Sequence, residues 1–258
     1  MKIAVCVKQV PDTETKIKLS GDQNQIDATG IKWVMNPYDE NAVEESLKIR
    51  DQNAGSQVFV FTAGPKSRAQ EVLRTALAMG ADEGVVVDLP DASDISVVAA
   101  ALASALKKEG PFDLVLTGRL AIDDNSSAVP QMVAELISAA HTTSVSKLSI
   151  SSGVATAERE VEGGQREVLE LSLPALVAAN KGLNTPRYAS LPGIMKAKKK
   201  TLKEYDLSAL GISADRSRTR YSQFQLPAEK PPVKMLSGDP SAQAKQLTQL
   251  LRQEAKVL

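Results

Sequence analysis

The chain has 258 residues, of which 43% are hydrophobic and 3% aromatic, which is typical of one large α/β domain, or a domain with an appendage, around an aliphatic core. Its 31 basic and 31 acidic residues cancel, so net charge gives no support for nucleic-acid binding. One cysteine and one histidine exclude an internal disulfide and a multi-cysteine metal site, and argue against a histidine-rich metal centre.

The first half of the chain alternates short apolar runs with helical patterns, apart from a polar stretch with a hairpin indicated around Gly21. Buried strands are predicted at Ile3–Val7, Val58–Thr62, Gly84–Val87 and Asp113–Thr117. Helices are predicted at Pro37–Arg50, Val72–Met79, Ile95–Lys108 and Ser126–Ala139. Asn36 suits a helix cap, and Gly80 suits a left-handed helix end. This alternation predicts a doubly wound, mostly parallel sheet.

The next stretch has the period of antiparallel strands. Short alternating segments are separated by turns at Ser152-Gly153 and Gly163-Gly164, and an apolar run at Pro174–Ala179 follows them. The predicted strands are Thr142–Ile150, Ala155–Glu162 and Glu167–Leu173. We therefore expect an antiparallel excursion at the sheet edge and then a return strand.

Residues 183–200 fit no ordinary element of a core. Pro186 and Pro192 remove backbone donors and push the preceding residues towards extended conformations, which disfavours both a helix and an interior strand. The segment nevertheless carries apolar side chains and then a lysine run, Lys196 and Lys198–Lys200. Apolar anchors beside a basic patch indicate a docking surface for another protein. The alternative is a connector whose apolar residues pack on their own domain.

The C-terminal part changes character again. From about Asp206 to Pro240 the chain has little regular pattern, and Asp239-Pro240 then begins an amphipathic helix with Leu247, Leu250, Leu251 and Ala255 on one face. We interpret this part as an arm that buries its apolar face on another subunit, the alternative being that it packs on its own chain. The predicted domains are 1–205, which includes the segment 183–200, and 206–258.

Three segments follow predicted strands, where open parallel sheets bind ligands: Cys6–Lys8, Ala63–Pro65 and Gly118–Ser127. Small residues there let a base or a phosphate approach the backbone, and a helix start at Ser126-Ser127 would suit a phosphate. Asp123 and Asp124 are adjacent and expected to point in different directions, so we interpret them as a cap or a ligand hydrogen bond, not a metal site. Cys6 is expected to be a small packed residue facing a pocket. The pattern favours a nucleotide-binding, partner-docking protein over a hydrolase.

Several motifs together resemble the β subunit of electron transfer flavoprotein, over nearly the whole chain. They are Val5–Val10, Met35–Glu45, Arg74–Asp82, Ala121–Asp124, Arg159–Gly164 and Leu183–Lys200. The resemblance implies an α/β fold of the Rossmann-like, adenine-nucleotide α-hydrolase-like type, and an AMP with a structural role. The implied AMP contacts are Cys6, Asn36, Pro37, Tyr38, Asp39, Ala63, Ala121, Ile122, Asp123, Asp124, Asn125, Ser126, Ser127, Ala128, Val129, Pro130, Gln131 and Met132.

The resemblance also implies partners and a role. The family is an electron carrier, not an enzyme: FAD lies mainly on an α subunit, Tyr38 matches an aromatic near its ring, and electrons pass from acyl-CoA or related dehydrogenases of fatty acid oxidation to a quinone oxidoreductase. Leu191 matches a leucine that enters a pocket on the dehydrogenase. The implied partner-binding residues are Tyr188, Leu191, Ile194, Met195, Lys196 and Lys199.

The chain departs from its relatives in two places. Cys6 stands where alanine is frequent, and residues 125–130 replace Asp-Cys-Asn-Gln-Thr-Gly. A second branch of the family bifurcates electrons and holds a second FAD and NADH, but its motif after Asp123 differs from this chain. A stand-alone adenine-nucleotide sensor is the third hypothesis. Because no apolar run approaches the roughly 20 residues of a membrane span and the N-terminus has no targeting pattern, we expect a bacterial cytoplasmic protein.

Overall fold

The computed structural model describes residues 1–22, 25–91 and 93–258, with only the backbone at Ala214. The strands are β1 (Lys2–Cys6), β2 (Gln9–Pro11), β3 (Trp33–Met35), β4 (Gln57–Gly64), β5 (Glu83–Asp88), β6 (Leu114–Gly118), β7 (Ala140–Ser151), β8 (Val154–Glu160), β9 (Arg166–Ser172), β10 (Ala175–Ala179) and β11 (Lys203–Tyr205). The helices are α1 (Pro37–Gln52), α2 (Lys66–Met79), α3 (Ile95–Glu109), α4 (Val129–Leu136), α5 (Leu191–Lys199) and α6 (Pro240–Gln253). Within these described ranges, no helix combines the length and hydropathy that a bilayer crossing requires.

Nine of the described strands form one sheet in the order β11-β5-β4-β1-β6-β10-β7-β8-β9. The strands are parallel from β11 to β7, whereas β7, β8 and β9 pair antiparallel. The predicted doubly wound α/β fold and its antiparallel excursion are thus confirmed. The chain builds outward from β1 in one direction through β4 and β5, and then in the other through β6. This reversal between β1 and β6 is the point where such sheets bind ligands.

Alternation along the strands divides the core into two layers. Ile3 and Val5 face one layer together with apolar residues of α1 and α2, whereas Ala4 and Phe61 face the other together with α3 and α4. All four of these side chains are fully buried, because a parallel sheet covered on both faces has no solvent side. The helices of the two layers begin at the same edge of the sheet, and the candidate site lies at that edge between their first turns.

Three local predictions differ from the structure. The helix predicted from Ser126 begins only at Val129, and Ser126 and Ser127 belong to the preceding loop. Asn36 occupies the cap position of α1, but its side chain bonds to Leu120 O (2.8 Å) and to Ile122 N (3.3 Å) instead of capping the helix. Short strands β2, β3 and β11 were not predicted. Leu19 and Ile26 form an antiparallel bridge below the hairpin expected around Gly21, whose residues 23 and 24 lie outside the described ranges.

The prediction that residues 183–200 contain no helix was wrong, because α5 spans Leu191–Lys199. The Ser190 side chain caps it by accepting a hydrogen bond from Gly193 N at 3.1 Å. Pro192 lies in the first turn, where a helix needs no N–H, so the ring that disfavours an interior position is tolerated. Residues 183–190 before it have no regular structure, in agreement with the prediction.

The chain divides into two compact units, Met1–Gln223 and Phe224–Leu258. The first unit therefore continues beyond the predicted boundary at Tyr205, and that boundary stays a prediction. In the second unit, α6 begins where the sequence indicated, with the Asp239 side chain accepting from Ala242 N at 2.9 Å. Its apolar residue Leu247 is half exposed. That this arm packs on another subunit remains a hypothesis.

Candidate nucleotide cleft and docking surface

A cleft of about 1100 Å³, a volume that includes open solvent at its mouth, lies across the carboxyl ends of β1, β4 and β6. Its floor comes from the strand ends, and its walls come from the first turns of α1, α2, α3 and α4. Ligand clefts are lined mostly by apolar groups with a few polar ones, and the lining of this cleft has that composition. The cleft lies where the strand order reverses, which is also where open α/β sheets bind nucleotides.

Asp39 ties the two strand ends of the floor together. Its carboxylate accepts hydrogen bonds from Lys8 N (2.7 Å) and from Gly118 N (3.0 Å). Burial raises the pKa of Asp39 to about 7, although these backbone donors and the Lys8 charge act to lower it. Gly118 permits this contact, since a Cβ there would lie 2.7 Å from Tyr38 Cβ and 2.9 Å from Asp39 N. The start of α1 is thereby held against the end of β6.

Asp123 and Asp124 do not point apart, as the sequence analysis expected, but both reach Lys8 Nζ. The closest distances are 2.8 Å for Asp123 and 3.3 Å for Asp124. Burial acts to lower the pKa of Lys8, but the two carboxylates outweigh it and raise that pKa overall. Asp124 also accepts from Ser126 N at 2.9 Å, so it shapes the loop and does not cap α4. No group of three or more metal-ligating side chains is present in the described part of the chain.

Most of the residues implied as AMP contacts line this one cleft. Those that line it are Cys6, Asn36, Asp39, Ala63, Ala121, Asp124, Ser126, Ser127, Ala128, Val129 and Pro130. Those that do not line it are Pro37, Tyr38, Ile122, Asp123, Asn125, Gln131 and Met132. Several residues of this second group are immediate chain neighbours of residues that line the cleft. The Tyr38 ring lies under the Arg119 guanidinium, whose central carbon is 5.4 Å from the ring centre.

Cys6 faces the cleft as a packed residue. It is buried at the end of β1, beside Thr117 in the register of β1 and β6. Burial, together with the Asp39 charge, raises the pKa of the Cys6 thiol to about 12. The thiol therefore stays protonated at neutral pH, which excludes a thiolate nucleophile there.

Arg68 and Thr117 are among the polar groups of the cleft that the sequence analysis missed. Arg68 stacks on the Trp33 ring at 3.9 Å and pairs with Asp91 at the mouth. Thr117 is only 5% exposed, and among the described residues its hydroxyl has no hydrogen-bond partner. A buried hydroxyl without a partner costs free energy unless a ligand or water completes it. The only sequence signal for either residue was its position at or just after a strand end.

The expected docking residues lie together on the surface around α5. The exposed fractions are 97% for Tyr188, 80% for Leu191, 65% for Met195 and 38% for Ile194. The remaining two expected residues, Lys196 and Lys199, are also exposed. We call this set of six residues the docking surface. Lys200, by contrast, is not part of the basic patch, because its Nζ donates to Ala81 O (2.8 Å) and Asp82 O (2.6 Å).

Below the docking surface, α5 is fixed to the C-terminal half of α2. Arg74 donates to the carbonyls of Ala197 and Lys200, the latter at 2.6 Å. A Cβ at Gly193 would collide with the Ala78 carbonyl, so only glycine allows the two helices to approach this closely. Leu191 and Met195 are therefore exposed by a rigid attachment of their helix, and not because the segment is unpacked.

Comparison with known proteins agrees with this architecture. Residues 23–210 match the model of the electron transfer flavoprotein domain. Electron transfer flavoprotein subunit beta of Bacillus subtilis is 41% identical over 266 residues and spans the whole of both chains. The Syntrophomonas wolfei protein of that name is 38% identical over all of this chain and 98% of its own, and the human one is 40% identical over 82% of this chain and 84% of its own. The chain belongs to the electron transfer flavoprotein β subunit family.

Membership confirms the resemblance found in the sequence, and it makes the chain one subunit of an electron carrier.

The departure from electron transfer flavoprotein relatives at residues 125–130 falls on an unusual backbone. Asn125 and Ser127 both have left-handed φ angles, 52° and 51°. The Ser127 hydroxyl donates to Arg119 O at 2.9 Å. The Ser127 hydroxyl thus supports the loop, and its predicted role towards a phosphate stays a prediction.

Proposed function

We propose that this chain is the β subunit of a heterodimeric electron transfer flavoprotein. In this proposal it holds AMP in the cleft and presents Leu191 to donor dehydrogenases, such as acyl-CoA dehydrogenases. FAD, carried mainly by the α subunit, passes their electrons towards a quinone oxidoreductase. The name of the relatives, electron transfer flavoprotein subunit beta, supports an α partner. The chain itself makes and breaks no bonds of a substrate.

The exposure of Leu191 carries the docking part of this proposal. A leucine that is 80% exposed on a capped, anchored helix contributes little to the stability of its own fold. Buried in a partner pocket, it would contribute about 2 kcal/mol, since each buried CH₂ is worth about 0.8 kcal/mol. One small apolar anchor flanked by lysines suits a carrier, which must bind specifically and release quickly.

The residues of the cleft fit an adenine nucleotide. Leu89, Val98 and Leu102 supply apolar walls that suit a flat base, and the unpartnered Thr117 hydroxyl supplies a polar atom among them. The first turn of α4 has backbone N–H groups that its own helix does not use, and with Arg68 these suit a phosphate. AMP, once bound, would supply no redox chemistry, only contacts that join the strand ends to the loop before α4.

Substitution of Leu191 by alanine tests the docking role. In a donor-coupled assay of the purified heterodimer, we expect the apparent KM of the dehydrogenase for Leu191→Ala to rise about 30-fold, which corresponds to about 2 kcal/mol. FAD content should stay unchanged. Val168→Ala, which shortens an exposed side chain on the distant strand β9, is the matched control. Loss of FAD, or an unchanged KM, would show that Leu191 does not dock donors.

Extraction and counting of nucleotides from the co-purified heterodimer tests the cleft. One FAD and one AMP per heterodimer is the expected result. Two FAD and reduction by NADH would instead support an electron-bifurcating subunit. A stable, soluble monomer with exchangeable nucleotide, obtained when this chain is expressed alone, would support a stand-alone sensor.

A further inference from the structure

We infer that three buried polar residues of α1, Asn41, Glu44 and Glu45, are positioning residues that hold residues 183–190 in a partner-ready shape before any partner binds. This inference rests on the proposed docking function. The three side chains lie on the face of α1 that meets the segment, and all are buried. They would act through the docking surface and not by touching the donor.

Asn41 and Asn184 recognise each other's side chain and backbone. Asn41 Nδ2 donates to the backbone oxygen of Asn184 at 2.9 Å and to its side-chain oxygen at 3.0 Å. Asn184 Nδ2 donates back to Asn41 O at 2.9 Å and to Glu45 Oε2 at 2.8 Å. Every polar atom of the Asn184 side chain therefore contacts α1, which fixes the position of the chain at this point.

One turn further along α1, Glu44 binds the next part of the segment. Its Oε2 accepts from Arg187 N (3.1 Å) and from Arg187 Nε (2.8 Å), and its Oε1 accepts from Arg187 Nη2 (3.2 Å). The two-pronged geometry fixes orientation as well as distance. Arg187 also reaches Asp51 at 3.2 Å. Tyr188 follows directly, almost fully exposed.

This arrangement favours a positioning role over a purely stabilising one. The Glu44–Arg187 ion pair has one exposed partner, Arg187, and such pairs contribute little net stability, about 0–1 kcal/mol, whereas the two-pronged contact selects one geometry. The segment has no helix or strand to set its shape, so side chains of α1 set it. A preordered segment avoids the entropy cost of ordering on binding, about 0.5–1.5 kcal/mol for each immobilised side chain. The observations thus link buried residues of α1 to the association step.

The test uses Glu44→Gln and Asn184→Ala in the full heterodimer, with a donor dehydrogenase as the assay partner. For each variant we expect the apparent KM to rise about five- to tenfold, the factor for ordering one or two side chains on binding, with kcat at saturation unchanged. Amide hydrogen exchange of residues 183–190 in the free heterodimer should be about tenfold faster. Lys147→Gln, which removes the exposed pair with Glu158 on the hairpin, is the control and should change neither quantity.

A double-mutant cycle separates positioning from general destabilisation. If Glu44 acts through the placement of Leu191, Glu44→Gln should add little to the KM effect of Leu191→Ala. Additive effects, unchanged KM, or unchanged hydrogen exchange would overturn the inference. Release of FAD or AMP would assign Glu44 a structural role and overturn it as well. If Leu191→Ala alone has no effect on KM, the proposed docking function fails first; if only the α1 and Asn184 variants have none, this inference alone fails.

Discussion

Substitution of Gly118 by alanine tests whether the contact between α1 and β6 builds the cleft. The added Cβ would lie 2.7 Å from Tyr38 Cβ and 2.9 Å from Asp39 N, and one of these is a backbone atom that no rotamer change can move. Overpacking of this kind costs about 1–3 kcal/mol. Moving Asp39 away would also break its hydrogen bond from Gly118 N, worth about 1.5–3 kcal/mol for a charged acceptor. The expected loss is about 3–5 kcal/mol.

Thermal unfolding of the purified heterodimer measures this loss. For a chain of this size, it corresponds to a Tm lower by about 10 °C, and AMP content should fall as well because the floor of the cleft is displaced. Gly21→Ala is the matched control, since no described heavy atom lies within 4 Å of a Cβ there. A Gly118→Ala protein with the Tm and AMP content of the parent would refute the argument.

Three further outcomes follow from the same geometry. Burial raises the pKa of Asp39 from 3.8 to about 7, so its contribution to stability is fully present below pH 4 and is lost as pH rises to 7. The free energy of unfolding should therefore fall over this range, by at most about 1.4 kcal/mol per pH unit. Asp39→Asn should flatten that fall, as measured by urea titrations at several pH values. Gly193→Ala should displace α5 from Ala78 and raise the donor KM while FAD content stays constant, and a normal KM would contradict the packing described. Asp94→Ala should cost about 2–3 kcal/mol in thermal unfolding, since its carboxylate caps α3 and accepts from Thr219 N at 2.6 Å; an unchanged Tm would show that these bonds are unimportant.

Periodicity predicted the elements that bury continuous apolar faces. The strands around Val5, Val60 and Leu116 and the stripe of α2 were predicted within a few residues, because burial on both sides of a sheet dictates composition. The edge strand β11 (Lys203–Tyr205) was missed, since it is short and largely exposed and its residues do not form a buried apolar run. Its pairing with β5 is decided by the neighbouring strand and not by its own sequence.

The details of the site depended on contacts distant in sequence. Asn36 has the composition of a helix cap, but its side chain is used by Leu120 and Ile122, more than 80 positions away. The prolines of residues 183–200 led to the prediction that no helix forms there. Ser190 caps α5 and Gly193 packs against α2, so Pro192 lies in the first turn, where the helix tolerates it. Local propensity cannot reveal either outcome, because the partner that decides it comes from another part of the chain.

Helix α2 separates the cleft from the helix α5 that carries the docking surface. Ala69 in its first turn lines the cleft, whereas Ala78 near its end supports Gly193 of α5. At about 1.5 Å per residue, these positions are about 13.5 Å apart along the helix. Under the proposed function, changes that alter which dehydrogenase is recognised can accumulate at one end of α2 without disturbing nucleotide retention at the other. Such a separation would let one carrier scaffold be adapted to new electron donors by exchanging a single surface segment.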